Sequence, residues 1–320
     1  MFEDFPLFPE RASTIASDVD ALYLALVAFS ALFTFGIFVA ILYFSIRYRR
    51  RSEDEIPLFT PPQHRLEVLW TVVPFAISFG LLVWGMDVYM TFYDPPSDAV
   101  EVTVVARQWM WKFQHPGGQA EIDELHVALG SRVMVRLASE DVIHSFFVPA
   151  FRVKQDAVPG RYTRIWFEAT RVGEYHLFCA EYCGSKHSRM VGKVVVMEPD
   201  DFQERLRRNE PAETPVSAGA RLFAQHGCDS CHRERDGRRG PSLAGLHDSE
   251  VRLANGDRVK ADYDYLRESI VDPSAKNVVG FRNLMPVYRG RLSEENILRI
   301  LDYIKSLPPD ANASRSASSR

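Results

Sequence analysis

The stretch that decides the fold is CAEYCGSKHSRM, residues 179–190, which places two cysteines, a histidine and a methionine within twelve residues. A second histidine, His144, precedes it by 35 residues. Thiolate, thioether and imidazole ligands together select copper. Two Cys, two His and one Met exceed what a single copper needs, so the set favours two copper ions bridged by the thiolates. A Cys2His2 zinc site is the alternative, and it would leave Met190 and Glu181 unused.

The chain has four cysteines, which form two close pairs: Cys179 with Cys183, and Cys228 with Cys231. Such pairs, in a chain with no other thiol, do not have the spacing of a disulfide framework. Cysteines restricted to two short segments indicate metal binding or cofactor attachment. A local disulfide within either pair is the alternative in an oxidising compartment.

The sequence on either side of residues 179–190 alternates short β-rich runs with turn signals. Turn-forming Gly, Pro and Ser residues at 116–118, 130–131 and 159–160 separate these runs, as in loops between strands. The pattern predicts an all-β domain, an antiparallel sandwich or barrel. The predicted strands are 100–106, 132–138, 164–167, 174–179 and 191–197.

Two charge-free apolar runs precede this domain: Ala21 to Ile46, with 26 residues, and Val68 to Met86, with 19. A helix needs roughly 20 apolar residues to cross a bilayer, so the runs predict a transmembrane hairpin. The loop between them is rich in arginine, whereas the charged residues among the first twenty are mainly acidic. By the positive-inside rule, both flanks of the hairpin lie outside the cytoplasm. The acidic start also argues against a cleaved signal peptide.

A second motif, CDSCH at residues 228–232, lies in the C-terminal third of the chain. Two cysteines three positions apart and a following histidine form the attachment pattern of c-type haem, with His232 as the proximal ligand. Met285 is the only methionine after residue 197 and is the predicted distal ligand, since methionine raises the haem potential. His226 and His247 compete for that position. A thioredoxin-like redox pair is the other interpretation of the cysteines, but it belongs to a strand-helix context.

The region around this motif is predicted to be helical. Ser217 to His226 is a helix candidate, and residues 293–307 have the capped start and apolar spacing of an amphipathic helix. The charged, proline-containing stretch 200–215 is predicted as a linker. The residues after 310 lack large apolar side chains and are predicted to be disordered.

These features divide the chain into six parts. They are an extracytoplasmic N-terminal segment (1–20), the transmembrane hairpin (21–92), the β-rich domain (93–199), the linker (200–215), the helical haem domain (216–308) and a disordered tail (309–320). The net charge of −4 is small and has no block of one sign, which excludes nucleic-acid binding as the main function.

The chain resembles cytochrome c oxidase subunit II from the first apolar run to about residue 198. The motifs that carry the resemblance, in the family's order, are LEVLWTVVP (66–74), RQWMWKF (107–113), EDVIHSFFVP (140–149), VKQDAVPGR (153–161) and CAEYCGSKHSRM (179–190). The C-terminal part resembles a small class I cytochrome c, with GPSL at 240–243 in the loop after the attachment site. The combination is similar to subunit II of a caa-type haem-copper oxidase.

The resemblance implies a multidomain fold: a two-helix transmembrane hairpin, an all-β cupredoxin barrel and an all-α class I cytochrome c domain. It also implies a binuclear copper centre, with ligands matching His144, Cys179, Cys183, His187 and Met190. The backbone carbonyl of Glu181 completes that set, and the Glu181 side chain reaches a magnesium ion shared with subunit I.

Two further residues match functional positions of the family. Trp109 matches the tryptophan through which electrons pass to the copper pair, and strand alternation would place it on the same face as Trp111. Met110 stands between them, where the family usually has an aromatic residue. Glu67 matches a glutamate at the entrance of a proton path into subunit I. A carboxylate at a span end that merely sits among lipid headgroups is the alternative for Glu67.

The resemblance implies an electron-transfer subunit of a respiratory terminal oxidase that contributes to proton translocation. The expected order is cytochrome c or the chain's own haem c, the copper pair, and a haem-copper subunit I that reduces oxygen to water. Subunit III is an expected further partner, a soluble cytochrome c or a quinol-oxidising complex the expected donor, and the bacterial inner membrane the expected location. The alternatives are the equivalent subunit of a copper-containing nitric oxide reductase, a nitrous oxide reductase-like copper protein and a membrane-tethered copper chaperone.

Overall fold

The computed structural model describes residues 8–56, 61, 63–232 and 239–309. These residues divide into two compact units: one is Thr14–Pro95, and the other joins the first thirteen residues to Pro96–Arg320. The predicted tail, 309–320, lies outside the described residues apart from its first position.

The unit Thr14–Pro95 consists of two long helices, α1 (Ala16–Arg47) and α2 (His64–Tyr93). Both are long and apolar enough to cross a membrane, and they contain the two predicted spans. Large apolar side chains along both helices are exposed, for example Phe35 and Phe75 at 68% and 70%. Apolar surface of this extent is suited to lipid or to another membrane subunit.

The second unit begins with a sandwich of two five-stranded sheets. Its strands are β1 (Val100–Arg107), β2 (Met110–Gln114), β3 (Ala120–Ile122), β4 (Glu124–Ala128), β5 (Arg132–Ser139), β6 (His144–Val148), β7 (Val153–Ala157), β8 (Thr163–Glu168), β9 (Gly173–Cys179) and β10 (Val191–Met197). The first sheet has the order β3-β2-β1-β5-β8 and the second the order β4-β10-β9-β6-β7. All five predicted strands are present.

The prediction of an antiparallel arrangement is wrong for two strand pairs. Strand β1 runs parallel to β5, and β4 runs parallel to β10. Parallel neighbours require a long connection that returns the chain to the same end of the sheet. Residues 108–131 supply one for β1 and β5, and local turn signals do not reveal such a non-local pairing.

The two faces of β1 have different surroundings. Val102, Val104 and Ala106 are buried and alternate along the strand, so they point between the sheets. Fully buried aromatic side chains fill the same core: Trp111, Phe113, Phe146, Phe151 and Phe167. The intervening positions of β1, which include Glu101 and Val105, lie on the outer face of the first sheet.

The predicted linker is partly helical. Residues Pro199–Arg208 form helix α3, which has Pro199 at its start, two aspartates in its first turn and three arginines in its last turn. This charge order is favourable for the helix dipole. The Phe202 ring lies 5.9 Å from that of His115, so α3 packs against the sandwich. The irregular part of the connection is therefore short.

The haem domain contains helices α4 (Pro215–Gln225), α5 (Asp229–His232), α6 (Tyr263–Val271) and α7 (Glu294–Ser306). The two helices predicted from sequence, α4 and α7, are confirmed, and Ser293 caps α7 by accepting from the Asn296 N–H. A Cβ on Gly219 would lie 1.9 Å from the Arg299 carbonyl, so α4 and α7 approach closely only because residue 219 is glycine.

A two-stranded hairpin interrupts this helical domain. It consists of β11 (Glu250–Arg252) and β12 (Arg258–Lys260), which pair antiparallel. The expectation of an entirely helical domain omitted this hairpin, because its strands are only three residues long and are too short to show a strand pattern in the sequence.

Candidate copper and haem sites

The predicted copper ligands are brought together by neighbouring strands of the second sheet. His144 opens β6, Cys179 ends β9, and Met190 directly precedes β10. Strands β6 and β9 pair with Phe146 opposite Cys179, which brings the first histidine and the first cysteine to one end of the sheet. The loop between β9 and β10 then supplies Cys183 and His187.

The five side-chain donor atoms form one contiguous cluster. Cys179 Sγ lies 3.7 Å from Cys183 Sγ and 3.9 Å from His144 Nδ1. Cys183 Sγ lies 3.4 Å from His187 Nδ1 and 3.8 Å from Met190 Sδ. Met190 Sδ is also 3.1 Å from His144 Nδ1. Because the thioether lies inside the cluster, the donor set fits copper better than a Cys2His2 zinc site.

Four of the five donors are shielded from water, and His187 is half-buried. His144 and Met190 are 0% and 1% exposed, and both cysteines are buried. The 3.7 Å between the two sulfurs greatly exceeds the roughly 2.05 Å of a disulfide bond, and both thiols are free. Two separate thiols facing one buried space can act together as bridging metal ligands.

Ionisable neighbours prepare the cysteine pair for a metal. Burial alone would raise the pKa of Cys179, but hydrogen bonds from His144 and from backbone groups lower it to about 6. Burial and the neighbouring Cys179 raise the pKa of Cys183. Once one thiolate has formed, the second forms only against its repulsion, which a bound cation removes.

Asp141 contacts the Nε2 atom of His144, on the side of the ring away from the sulfur atoms. The sequence did not identify this residue. Its Oδ1 atom lies 2.8 Å from His144 Nε2, and its Oδ2 atom accepts from the Gln108 N–H. Burial alone would raise the pKa of Asp141, but the Gln108 N–H and the His144 ring lower it. The carboxylate directs the Nδ1 atom of His144 toward the sulfur atoms. Its position three residues before His144 was the available signal.

Trp109 and Trp111 lie near different copper-ligand candidates. Trp111 is fully buried, and its ring is 6.2 Å from that of His144. Trp109 is partly exposed, and its Nε1–H donates to the Cys183 carbonyl at 3.2 Å. Trp109 lies in the turn before β2, so the strand alternation on which the expected shared face rested does not apply to it.

The two candidate carboxylates lie in different units. Glu181 has an exposed side chain, and its backbone carbonyl is 3.2 Å from Cys179 Sγ, close to the sulfur cluster. Glu67 lies in the first turn of α2, with His64 Nδ1 3.3 Å from its Oε2 atom.

A cleft of about 380 Å³ in the haem domain brings together the attachment motif and the predicted distal ligand. Cys228, Cys231, His232 and Met285 all line it. His232 Nδ1 lies 2.8 Å from the Pro241 carbonyl, a hydrogen bond that leaves Nε2 for iron. A Cβ on Gly240 would lie 2.8 Å from the His232 ring, so the loop requires glycine there. The residues present therefore fit a covalently attached haem.

The two competing histidines lie in different positions. His226 lines the same cleft, and its backbone carbonyl accepts from the Tyr288 hydroxyl at 2.9 Å. His247 is absent from the cleft lining in the described residues, and its ring is 5.1 Å from that of Tyr263.

Three family models match the chain. The transmembrane domain of cytochrome c oxidase subunit II matches residues 4–88, and the periplasmic domain of the same subunit matches residues 118–198. The cytochrome c family matches residues 216–308. The matches occur in the order hairpin, sandwich and haem domain, which is also the order of the folded parts.

Curated relatives extend over most of the chain. "Cytochrome c oxidase subunit 2" of Alkalihalophilus pseudofirmus is 30% identical, and the alignment covers 89% of this chain and 85% of the relative. The protein of that name from Bacillus sp. (strain PS3) is 30% identical, with 82% and 79% covered. That from Thermostichus vulcanus is 30% identical, with 65% and 80% covered. The chain belongs to the cytochrome c oxidase subunit II family and carries a C-terminal cytochrome c domain.

Proposed function

We propose that the chain relays single electrons from its haem domain to a two-copper centre, and from there to the haem-copper subunit that reduces oxygen. The observation that carries this function is the cluster of two thiols, two imidazoles and one thioether, buried except for the half-buried His187, in the same chain as a CDSCH-lined cleft. Copper and haem c, when bound, supply the one-electron redox chemistry. The polypeptide would hold both groups, and it buries four of the five side-chain copper ligands.

The copper ligands in this proposal are His144, Cys179, Cys183, His187 and Met190, with the Glu181 carbonyl as a further ligand. Its 3.2 Å separation from Cys179 Sγ supports that role. The exposed Glu181 side chain is free to reach a magnesium ion held jointly with subunit I. Hard oxygen ligands of this kind suit magnesium.

In the haem domain, Cys228 and Cys231 would attach the haem through thioether links, and His232 and Met285 would bind its iron. The hydrogen bond to the Pro241 carbonyl fixes the His232 ring. Methionine and histidine as iron ligands would give a high potential, which suits an electron carrier.

Trp109 is the proposed point at which electrons enter the copper centre. Its indole N–H donates to the carbonyl of Cys183, so a partly exposed aromatic ring is one hydrogen bond from a copper ligand. Glu67 is the proposed entrance of a proton path into subunit I, at the start of α2.

The chain is a membrane-anchored subunit of a haem-copper oxidase with its soluble domains outside the cell interior. We further propose that α1 and α2 lie in a bacterial inner membrane, that they contact subunit I, and that subunit III completes the complex. The electron donor in this proposal is a soluble cytochrome c or a quinol-oxidising complex.

Blocking haem attachment tests the relay. In the purified complex, Cys228→Ala with Cys231→Ala should leave the near-infrared copper absorption intact. Oxygen consumption with the physiological donor should fall by about tenfold or more, since tethering gives the haem domain an effective concentration on the order of millimolar.

A donor that reduces copper directly is the control, and it should sustain oxygen consumption in both proteins. Unchanged consumption with the physiological donor would rule out the haem domain as the entry point. Nitric oxide consumption that exceeds oxygen consumption would identify the complex as a nitric oxide reductase instead.

A further inference from the structure

The haem domain packs directly against the outer face of the first sheet of the copper domain, within one compact unit. Buried apolar residues of both domains form a single cluster, to which the copper domain contributes Val105, Ala138 and Tyr162. The chain therefore places the haem domain against the copper domain over a packed surface.

The first polar contact of this surface is centred on Tyr162, which is 9% exposed. Its hydroxyl donates to Glu294 Oε1 at 2.7 Å, and its backbone N–H donates to Asp264 Oδ1 at 2.8 Å. Arg267 forms a two-point pair with Glu294, at 2.6 and 2.9 Å. The third guanidinium nitrogen of Arg267, Nη1, donates to the Gly160 carbonyl at 2.9 Å. One glutamate and one arginine of the haem domain thus form hydrogen bonds with the 160–162 turn.

The second polar contact is centred on Arg136. Its guanidinium lies 3.6 Å from the centre of the Tyr263 ring, and its Nε donates to Glu101 Oε1 at 2.6 Å. Lys305 of α7 pairs with the other oxygen of Glu101 at 3.2 Å. An arginine, a lysine and a carboxylate from two domains therefore alternate in charge across the junction.

These charges are largely removed from water. The Glu294 and Arg267 side chains are 9% and 15% exposed, and those of Arg136 and Glu101 are 12% and 21% exposed. Removing one partner of a buried charge pair leaves the other charge uncompensated. Separation of the two domains would have to hydrate all four groups and expose the shared apolar cluster.

The haem-domain residues that make the polar contacts do not line the haem cleft. Among the described residues that line the cleft, none is Tyr263, Asp264, Arg267, Glu294 or Lys305. The contacts with the copper domain therefore leave the cleft lining to the haem domain alone.

We propose that the outer face of the first sheet is a permanent dock for the chain's own haem domain. The domain delivers electrons from one fixed position, and it receives them at its cleft without leaving the dock. This inference rests on the proposed relay function and adds that no swinging motion of the tether is needed.

Cutting the connection between the domains tests the dock. A protease site inserted between Asn209 and Glu210 allows cleavage of the folded chain in the purified oxidase. After cleavage and dilution to nanomolar concentration, the haem domain should remain with the complex on size-exclusion chromatography. Immediate release of the haem domain from the cleaved parent, which has no substitution at the dock, would overturn the proposal.

Two substitutions test the contacts from opposite sides. In the cleaved protein, Glu294→Gln should speed release of the haem domain by roughly 30-fold or more, because it leaves Arg267 buried without a counter-charge. Tyr162→Phe alters only the copper domain and should speed release by about tenfold. Glu250→Gln is the control, because the Glu250–Arg258 pair is exposed and outside the dock. Equal release from all three variants and the parent would contradict the assignment.

The electron-transfer readout separates this inference from the relay itself. In the uncut parent, copper reduction after flash reduction of the haem should proceed at a rate that does not change with solvent viscosity or salt. If the rate of copper reduction falls as viscosity rises, and the haem domain is also released after cleavage, the dock is overturned while the relay remains intact. If copper is not reduced by the haem at all, the relay fails, whereas retention after cleavage would still support the dock.

Discussion

At the scale of single residues, the copper site depends on a carboxylate that is not itself a ligand. Asp141 accepts from the backbone N–H of Gln108 and Val142 and contacts His144 Nε2 at 2.8 Å. The two backbone hydrogen bonds fix the carboxylate, and the carboxylate fixes the ring. The geometry of one ligand is therefore determined by a residue outside the coordination sphere.

Replacing Asp141 by Asn should weaken copper binding by roughly 10- to 100-fold, because the amide keeps the volume but not the charge that orients His144. Competition with a chelator, followed by the near-infrared copper band, measures the loss. Glu140→Gln is the matched control, since Glu140 pairs with Arg107 and does not contact His144. Equal affinity in the two variants would show that Asp141 does not position the ligand.

At the scale of secondary-structure elements, α3 is attached to the sandwich through Glu121. Its side chain is 11% exposed and contacts His126 Nδ1 at 2.8 Å, His115 Nε2 at 3.3 Å and Arg205 Nε at 3.2 Å. Burial alone would raise the pKa of Glu121, but hydrogen bonds with the two histidines hold it far below its usual range. One strand carboxylate thus links two strands to the helix that leads into the haem domain.

Glu121→Gln should lower the free energy of unfolding by about 3 kcal/mol, because it removes a buried carboxylate whose hydrogen bonds reach His115, His126 and Arg205. Because the folded-state pKa of Glu121 is depressed, its stabilisation is present above the ordinary carboxyl pKa and is lost as pH falls. The difference between variant and parent should therefore shrink in acid.

Hydrogen exchange of the α3 amides, measured in the full chain at neutral and acidic pH, is the check. Glu204→Gln serves as the control, since Glu204 pairs with exposed Arg207 and Arg208 on the same helix. Such surface pairs contribute at most about 1 kcal/mol. A larger effect from Glu204 than from Glu121 would contradict the role of the buried cluster.

At the scale of the whole molecule, the stability of the docked haem domain should depend on pH through Asp302. Burial raises the pKa of Asp302 to about 6, partly opposed by the hydrogen bond from the Tyr263 hydroxyl. Glu101 raises this pKa further, whereas Arg136 and Lys305 lower it.

Because the folded-state pKa is raised, Asp302 contributes stability below its ordinary pKa near 3.8 and loses that contribution as pH rises through about 6. Asp302→Asn should remove this decline, so the variant gains stability relative to the parent between pH 4 and pH 7. Chemical unfolding of the full chain across that range, followed by haem absorption, measures the difference. A constant difference at all pH values would exclude Asp302 as the group.

The sequence alone determined the parts whose signal is local. Residues 179–190 carry four of the five predicted side-chain copper donors, CDSCH carries the predicted haem attachment, and two long apolar runs define the two helices. Ser293 and the apolar spacing after it predicted α7 correctly. Such features follow from ligand chemistry, bilayer thickness and helix periodicity, each of which acts over a few residues or turns.

Only the tertiary structure decided the pairings between distant residues. Strand order determines the parallel pairs β1–β5 and β4–β10. Packing determines the contact of Asp141 with His144 and the position of Trp109. It also determines the contacts of Glu294 and Arg136 across the domain junction. Neighbouring sequence does not encode which surfaces meet, because burial and charge pairing are properties of the folded chain. The sequence therefore predicted both redox sites, and the fold determined how the haem domain packs against the copper domain.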